Sequence, residues 1–204
     1  SVEEPAAKIN VLLQSYISSL ALDGFVLYAD LGYIKNNGVR LMRCILDIVA
    51  LHGWAEPFKR TLNMCKMVAR QLWNSQSNFR QFPTIPQEVI TSLEKKDIAW
   101  DRFYDMSPHE IGECARNPRL GKALHALVHQ FPRLELSSSV QPVSRSLLNM
   151  HVTVQADFAW EEEVHGTVQR FWLLVEDSES SKILTKLLFT LRKFQLNSRL
   201  RFTF

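Results

Sequence analysis

Apolar positions recur at helical spacing through the first two-thirds of the chain and alternate with polar ones after it. Ile9, Leu12, Leu13, Tyr16, Ile17 and Leu20 share one side of a 100° wheel, which predicts an amphipathic helix to about Leu22. Pro5 suits its first turn, and Glu3 and Glu4 sit where the helix dipole favours negative charge. Phe25, Tyr28, Ala29 and Leu31 continue as a shorter helix, with Asn36-Asn37-Gly38 as its stop signal. A third helix is predicted from Arg40 to about Leu51. Leu41, Met42, Ile45, Ile48 and Val49 form its inward arc, and Arg40, Arg43 and Asp47 share the opposite one. A fourth helix runs from near Pro57 to Trp73. Phe58, Leu62, Cys65, Ala69 and Leu72 face in, while Lys59, Asn63, Lys66 and Arg70 line another stripe. Four helices with short links predict a helical bundle over residues 1–78.

The polar stretch from Asn74 to Pro86 reads as a linker. A helix-loop-helix unit is expected over 79–132, with helices at Gln87 to Lys95, Asp101 to Asp105, Ser107 to Arg116 and Leu120 to Gln130. Ser107-Pro108-His109-Glu110 carries a capping box with proline at the first helical position, and Asn117-Pro118-Arg119-Leu120-Gly121 breaks the last pair into a hairpin. After Phe131-Pro132 the period changes to two. Leu134-Glu135-Leu136, Met150 to Val154, Phe171 to Val175, Leu187 to Leu191 and Leu200 to Phe204 read as strands, with Asp177-Ser178-Glu179-Ser180 as a turn. The fold class expected is α+β, closing on a fibronectin type III-like (immunoglobulin-like) β-sandwich over 133–204. That span is short of the ~100 residues of a seven-stranded sandwich, so the sandwich is expected to be incomplete.

Composition adds limits rather than identity. Hydrophobic residues make up 46% and charged residues 22% of 204, ordinary for a globular chain. No apolar run approaches the ~20 residues of a membrane span, so no membrane partner is expected. Ser1-Val2-Glu3-Glu4-Pro5 lacks the pattern of a signal peptide and reads as a cut inside a longer protein. A net charge of +3 permits a nucleic-acid partner without arguing for one. Cys44, Cys65 and Cys114 are odd in number and widely spaced, which points to reduced thiols in the core of an intracellular protein.

No catalytic motif is present: no phosphate-cradling GxxxxGK[ST] loop, no GxSxG elbow, no GxGxxG turn. His125 and His129 are one helical turn apart, but no glutamate lies between them and no third ligand is nearby, so no metal site is predicted. Glu161-Glu162-Glu163 reads as a solvated turn. The Arg40/Arg43 stripe is the strongest candidate for binding. Two guanidiniums one turn apart beside Asn36 and Asn37 can hold consecutive phosphates of a single strand. The plainer alternative is that Arg43 pairs with Asp47 on a solvated face. Lys59, Lys66 and Arg70 form a weaker stripe, with Lys66 and Arg70 its candidates, and Arg119 and Lys122 stand where a hairpin can offer charge to a phosphate.

Blocks scattered in order along the chain carry a resemblance. They are Glu3 to Gln14, Arg40-Leu41-Met42-Arg43, Asn63 to Met67, Leu72-Trp73, Arg80-Gln81-Phe82, Glu110-Ile111-Gly112, Gln141 to Arg145, Val164-His165-Gly166 and Trp172 to Asp177. Together they resemble the Sec-sixty-three homology module of Ski-two-like DExH-box RNA helicases, the spliceosomal kind above all. The resemblance implies a long "ratchet" helix across an RNA channel shared with RecA-like domains of the same parent chain. It carries RNA contact onto Arg40 and Arg43, with Asn37 at the helix start; Asp47 joins them from helix geometry alone. It further implies a nuclear parent that uses ATP and Mg elsewhere, with snRNA and spliceosomal proteins as partners and no cofactor in this segment. The role implied is guiding single-stranded RNA through the motor, and a protein-docking scaffold is the alternative.

Overall fold

A computed structural model describes residues 4–145, 147–179 and 181–204. Glu3 of the predicted first turn and Ser180 of the predicted hairpin turn lie outside the described residues. The fold is α+β, with helices leading and small sheets following. The chain divides into two compact units: one runs to Glu94 and takes in Glu176–Leu184, and the other comprises Lys95–Val175 with Thr185–Phe204.

In the first unit α1 spans Pro5–Ile17, α2 Phe25–His52, α3 Ala55–Arg70 and α4 Gln87–Glu94. The end of α1 comes five residues before the expected Leu22. Ser19 turns left-handed (φ 54°), its N–H donates to the Tyr16 carbonyl, and the Leu20 N–H reaches back to the Ser15 carbonyl. This is a Schellman stop built on serine instead of glycine.

The larger departure is α2, a single helix of 28 residues where two were expected. Asn36-Asn37-Gly38 does not stop it. Gly38 keeps right-handed helical backbone, and its bare Cα faces α3, where an added Cβ would meet Val68 Cγ1 at 3.4 Å. An added Cβ would make only ordinary contact there, so the glycine is accommodated in the helix and not required by its packing. The Asn37 side chain returns its amide to the Tyr33 carbonyl within the helix, so it does not nucleate a turn.

The inward arc also shifts. Leu46, Val49 and Ala50 are buried, while Leu41, Ile45 and Ile48, expected inside, are exposed. The reason is that continuity with the Phe25 half lets Leu31, Ile34, Val39 and Met42 set the phase against Tyr16, Ile17 and Val68. Cys44 is exposed and Cys114 half-buried, so only Cys65 is the core cysteine expected of all three. On α3, Ala69 is likewise exposed.

Gly53 caps α2 in the left-handed region (φ 69°), and its carbonyl accepts from Ile183 N–H at 2.7 Å. The stretch expected to be a linker is ordered: a 3-10 turn at Asn78–Gln81 buries Phe79 fully, and Ile85 is buried after it. Arg80 grips Glu94 with two hydrogen bonds of 2.6 and 2.7 Å, and Glu94 also accepts from the Ser77 N–H. The guanidinium holds the Glu94 carboxyl below the usual carboxylate range.

In the second unit α5 spans Arg102–Asp105, α6 Pro108–Cys114 and α7 Gly121–Val128. The capping box at Ser107 forms as predicted, with the hydroxyl accepting from Glu110 N–H and the Glu110 carboxylate from Ser107 N–H. Gly112 and Gly121 let α6 and the start of α7 touch through backbone; a methyl on Gly121 would collide with the Pro108 carbonyl. A 3-10 turn at Pro118–Leu120 links the pair.

Strands β1 (Leu134–Pro142), β2 (Leu148–Ala156) and β5 (Arg199–Thr203) form an antiparallel sheet in the order β1-β2-β5. The short helix α8 (Glu162–His165) precedes β3 (Gln169–Glu176) and β4 (Ile183–Leu191), which make a second sheet. Val152, Val154, Leu173 and Phe189 form the core that the two sheets share, with Phe171 and Phe202 ringing Phe189. Glu162, in the acidic run expected to be a solvated turn, is ion-paired with Lys193 at 2.9 Å.

Gly38→Ala is expected to leave the melting temperature unchanged or slightly raised, since a helical alanine gains up to about 1 kcal/mol over glycine. Gly121→Ala should lower stability by more than about 2 kcal/mol because backbone must move. Thermal melts of the two variants decide both. Glu94→Gln should cost stability at neutral pH. The carboxyl's folded value is depressed, so its contribution is present above the ordinary carboxylate range and lost as pH falls through the folded value. The difference between variant and parent should therefore close on acidification, as followed by denaturant titration.

Candidate nucleic-acid interface

The middle of α2 carries the primary candidates. Arg40, Arg43 and Asp47 are exposed and Asn37 is half-buried. At 100° per residue Asp47 lies about 20° around the helix from Arg40, and Arg43 about 60°. The Asn37 side-chain oxygen Oδ1 accepts from the Arg40 guanidinium at 3.1 Å, which tethers that arginine without neutralising it. Among the described residues, the alternative ion pair between Arg43 and Asp47 does not form, and neither has a hydrogen-bond partner. Both act on Cys65 of α3: burial pushes the thiol up, the Arg43 cation pulls it back, and the Asp47 anion adds to the rise. The arc therefore presents two cations and one anion that the fold leaves available to a ligand.

Tyr33 belongs to the same arc and was not among the expected residues. It is 70% exposed and sits seven residues before Arg40, as Arg40 does before Asp47. The 33/40/47 spacing was visible in the chain, but a helix broken at Asn36-Asn37-Gly38 puts Tyr33 on another element. On its flank the arc borders exposed Leu41, Ile45 and Ile48.

The secondary candidates divide. Lys59 of the α3 stripe is occupied, held by Glu56 at 2.6 Å and Glu176 at 3.1 Å. Lys66 and Arg70 are exposed, and Arg70 stands in the last turn of α3, where the helix dipole already favours a cation. Arg119 and Lys122 are exposed too, but they belong to the second unit. His125 and His129 face each other with Nε2 atoms 3.2 Å apart, and burial with the neighbouring imidazole holds His125 below its ordinary value. Among the described residues no group of three or more His, Cys, Asp or Glu comes together to hold a metal ion. No described helix is long and apolar enough to cross a membrane.

Comparison with known proteins covers the whole chain. The family model described as "Sec63 Brl domain" matches residues 1–204. The "U5 small nuclear ribonucleoprotein 200 kDa helicase" of Homo sapiens is 50% identical over 184 residues, 90% of this chain and 9% of that protein. The protein of the same name in Drosophila melanogaster is 48% identical over 193 residues, 95% of this chain. The "Pre-mRNA-splicing factor brr2" of Schizosaccharomyces pombe is 42% identical over 195 residues, again 95% of this chain. The chain spans 9% of the length of these relatives. Matched from first residue to last, the chain belongs to the Sec63 Brl domain family.

Proposed function

We propose that the chain is a non-catalytic accessory module of a spliceosomal ATP-dependent RNA helicase, guiding single-stranded RNA through the motor during snRNA unwinding. The observation that carries this is the unbroken α2, about 42 Å long at 1.5 Å per residue, with available Arg40, Arg43 and Asp47 on one solvent-facing arc. The helicase and splicing-factor names of the relatives supply the parent. In this reading ATP and Mg act in RecA-like domains elsewhere in the parent, the parent works in the nucleus, and snRNA is the ligand.

Arg40 and Arg43 hold successive phosphates electrostatically, so the strand can slide from one registration to the next without a base being read. Tyr33 offers a ring for a base to stack on. Asp47 repels phosphate but accepts a hydrogen bond from a ribose 2′-hydroxyl, which would favour RNA over DNA. Lys66 and Arg70 extend the contact within the first unit, and Arg119 and Lys122 are separate phosphate candidates on the second. The three-part division at 78 and 132, and the two sheets as a fibronectin type III-like sandwich, belong to the same reading.

A second reading, a docking scaffold, is favoured by one observation: Leu41, Ile45 and Ile48 leave an apolar flank exposed on α2. RecA-like domains of the parent or splicing proteins would cover it.

Arg40→Ala with Arg43→Ala in the parent helicase is expected to slow ATP-driven unwinding about tenfold, equivalent to about 1.4 kcal/mol, with melting temperature and RNA-free ATPase rate unchanged. Unwinding at the parent's rate in a folded double variant would remove the guiding role and leave the scaffold.

A further inference from the structure

The outward face of the β1-β2-β5 sheet is uniformly polar. Register lines up three cross-strand rows on it: Glu135–Gln155–Arg199, Ser137–Thr153–Arg201 and Ser139–His151–Thr203. The opposite face carries the apolar residues that enter the core, among them Val152, Val154, Leu200 and Phe202. Over the first two rows lies an open trough of about 630 Å³, bounded at one end by Arg133.

Three arginines and one carboxylate line this trough. Arg133 is fixed, its Nε 3.6 Å from Asp157 and its guanidinium 4.8 Å above the Tyr104 ring. Arg199 donates through Nε to Gln155 at 3.2 Å, which leaves the two terminal nitrogens of its fork unspent. Among the described residues the Arg201 side chain makes no hydrogen bond or ion pair. Same-face neighbours on a strand stand about 6.7 Å apart, so β5 presents two guanidiniums in file along an edge of the sheet. Ser137 and Thr153 add hydroxyls beside them.

We infer that this face is a second track for single-stranded RNA, binding the phosphodiester backbone through Arg199 and Arg201 with Ser137 and Thr153 beside them. Arginine, hydroxyl and amide donors are the groups that phosphates and riboses take. The two rows under the trough carry no aromatic side chain, and the third carries only the His151 imidazole, so contact is mainly with the backbone and depends little on sequence. Leu134 and Leu136 of β1 also line the trough, but the two rows beneath it are polar throughout. Nothing in this inference depends on the role of Arg40 and Arg43.

The test uses the 204-residue chain and fluorescein-labelled U12, with anisotropy read between 50 and 200 mM NaCl. Each phosphate contact on a single strand contributes about 0.7 to the slope of log K against log salt. Arg199→Gln with Arg201→Gln should make the slope shallower by about 1.4 and weaken binding at 50 mM at least fivefold. Glu135→Gln removes the one carboxylate that lines the trough among the described residues and should tighten binding about twofold, which decides the matter if the arginine pair fails to fold. An unchanged slope in the folded arginine pair, no tightening with Glu135→Gln, or no binding of U12 at 50 mM overturns the inference. So does a phosphoserine peptide that loses affinity in the arginine pair while U12 does not. Arg40→Ala with Arg43→Ala, measured alongside, separates the tracks: loss there alone overturns the sheet track and spares α2, and loss in the sheet variant alone does the reverse.

Discussion

The continuity of α2 is the constraint on which the candidate interface depends. Propensity opposes it: two asparagines and a glycine in a helix interior cost about 2.4 kcal/mol relative to alanine. Packing decides the outcome. Leu31, Ile34, Val39 and Met42 lie on either side of that triplet and pack with Tyr16, Ile17 and Val68. Fully buried side chains of this kind contribute about 1.5–3 kcal/mol each. These four are only partly buried, yet even at half that value they outweigh the propensity cost. Gly38 faces Val68 of α3, where even an added Cβ would make only ordinary contact, so the packing tolerates the glycine without needing it.

From that continuity follows the arc of Tyr33, Arg40 and Asp47, two helical turns between each pair. A break at Gly38 would have freed the orientation of Tyr33 and of Asn37, which tethers Arg40. The same phase leaves Leu41, Ile45 and Ile48 exposed, so a charged strip and an apolar strip run side by side on one helix. In the proposed reading the charged strip meets a strand of RNA and the apolar strip meets a protein surface.

Much of the local structure was legible in the chain, and the misses share a cause. The Ser107 capping box, the change of period after Phe131-Pro132 and the β-strands follow from short-range signals, and the structure has them. The joined helix, the inward arc of α2 and the ordered stretch around Phe79 depend on tertiary packing that residue spacing does not reveal. Arg40 and Arg43 could be found because they lie one turn apart on one helix. Arg199 and Arg201 escaped notice because their setting needs the register of β1, β2 and β5, with Ser137 and Thr153 more than forty residues away. Tyr33 was hidden behind a turn signal that the fold overrides.

The most direct measurement is photo-crosslinking of 4-thiouridine-substituted RNA to the parent helicase while it unwinds, with the adducts mapped by mass spectrometry. The account predicts adducts between Tyr33 and Asp47, on the exposed arc of α2. Adducts confined to other parts of the parent, with none on α2, would contradict it.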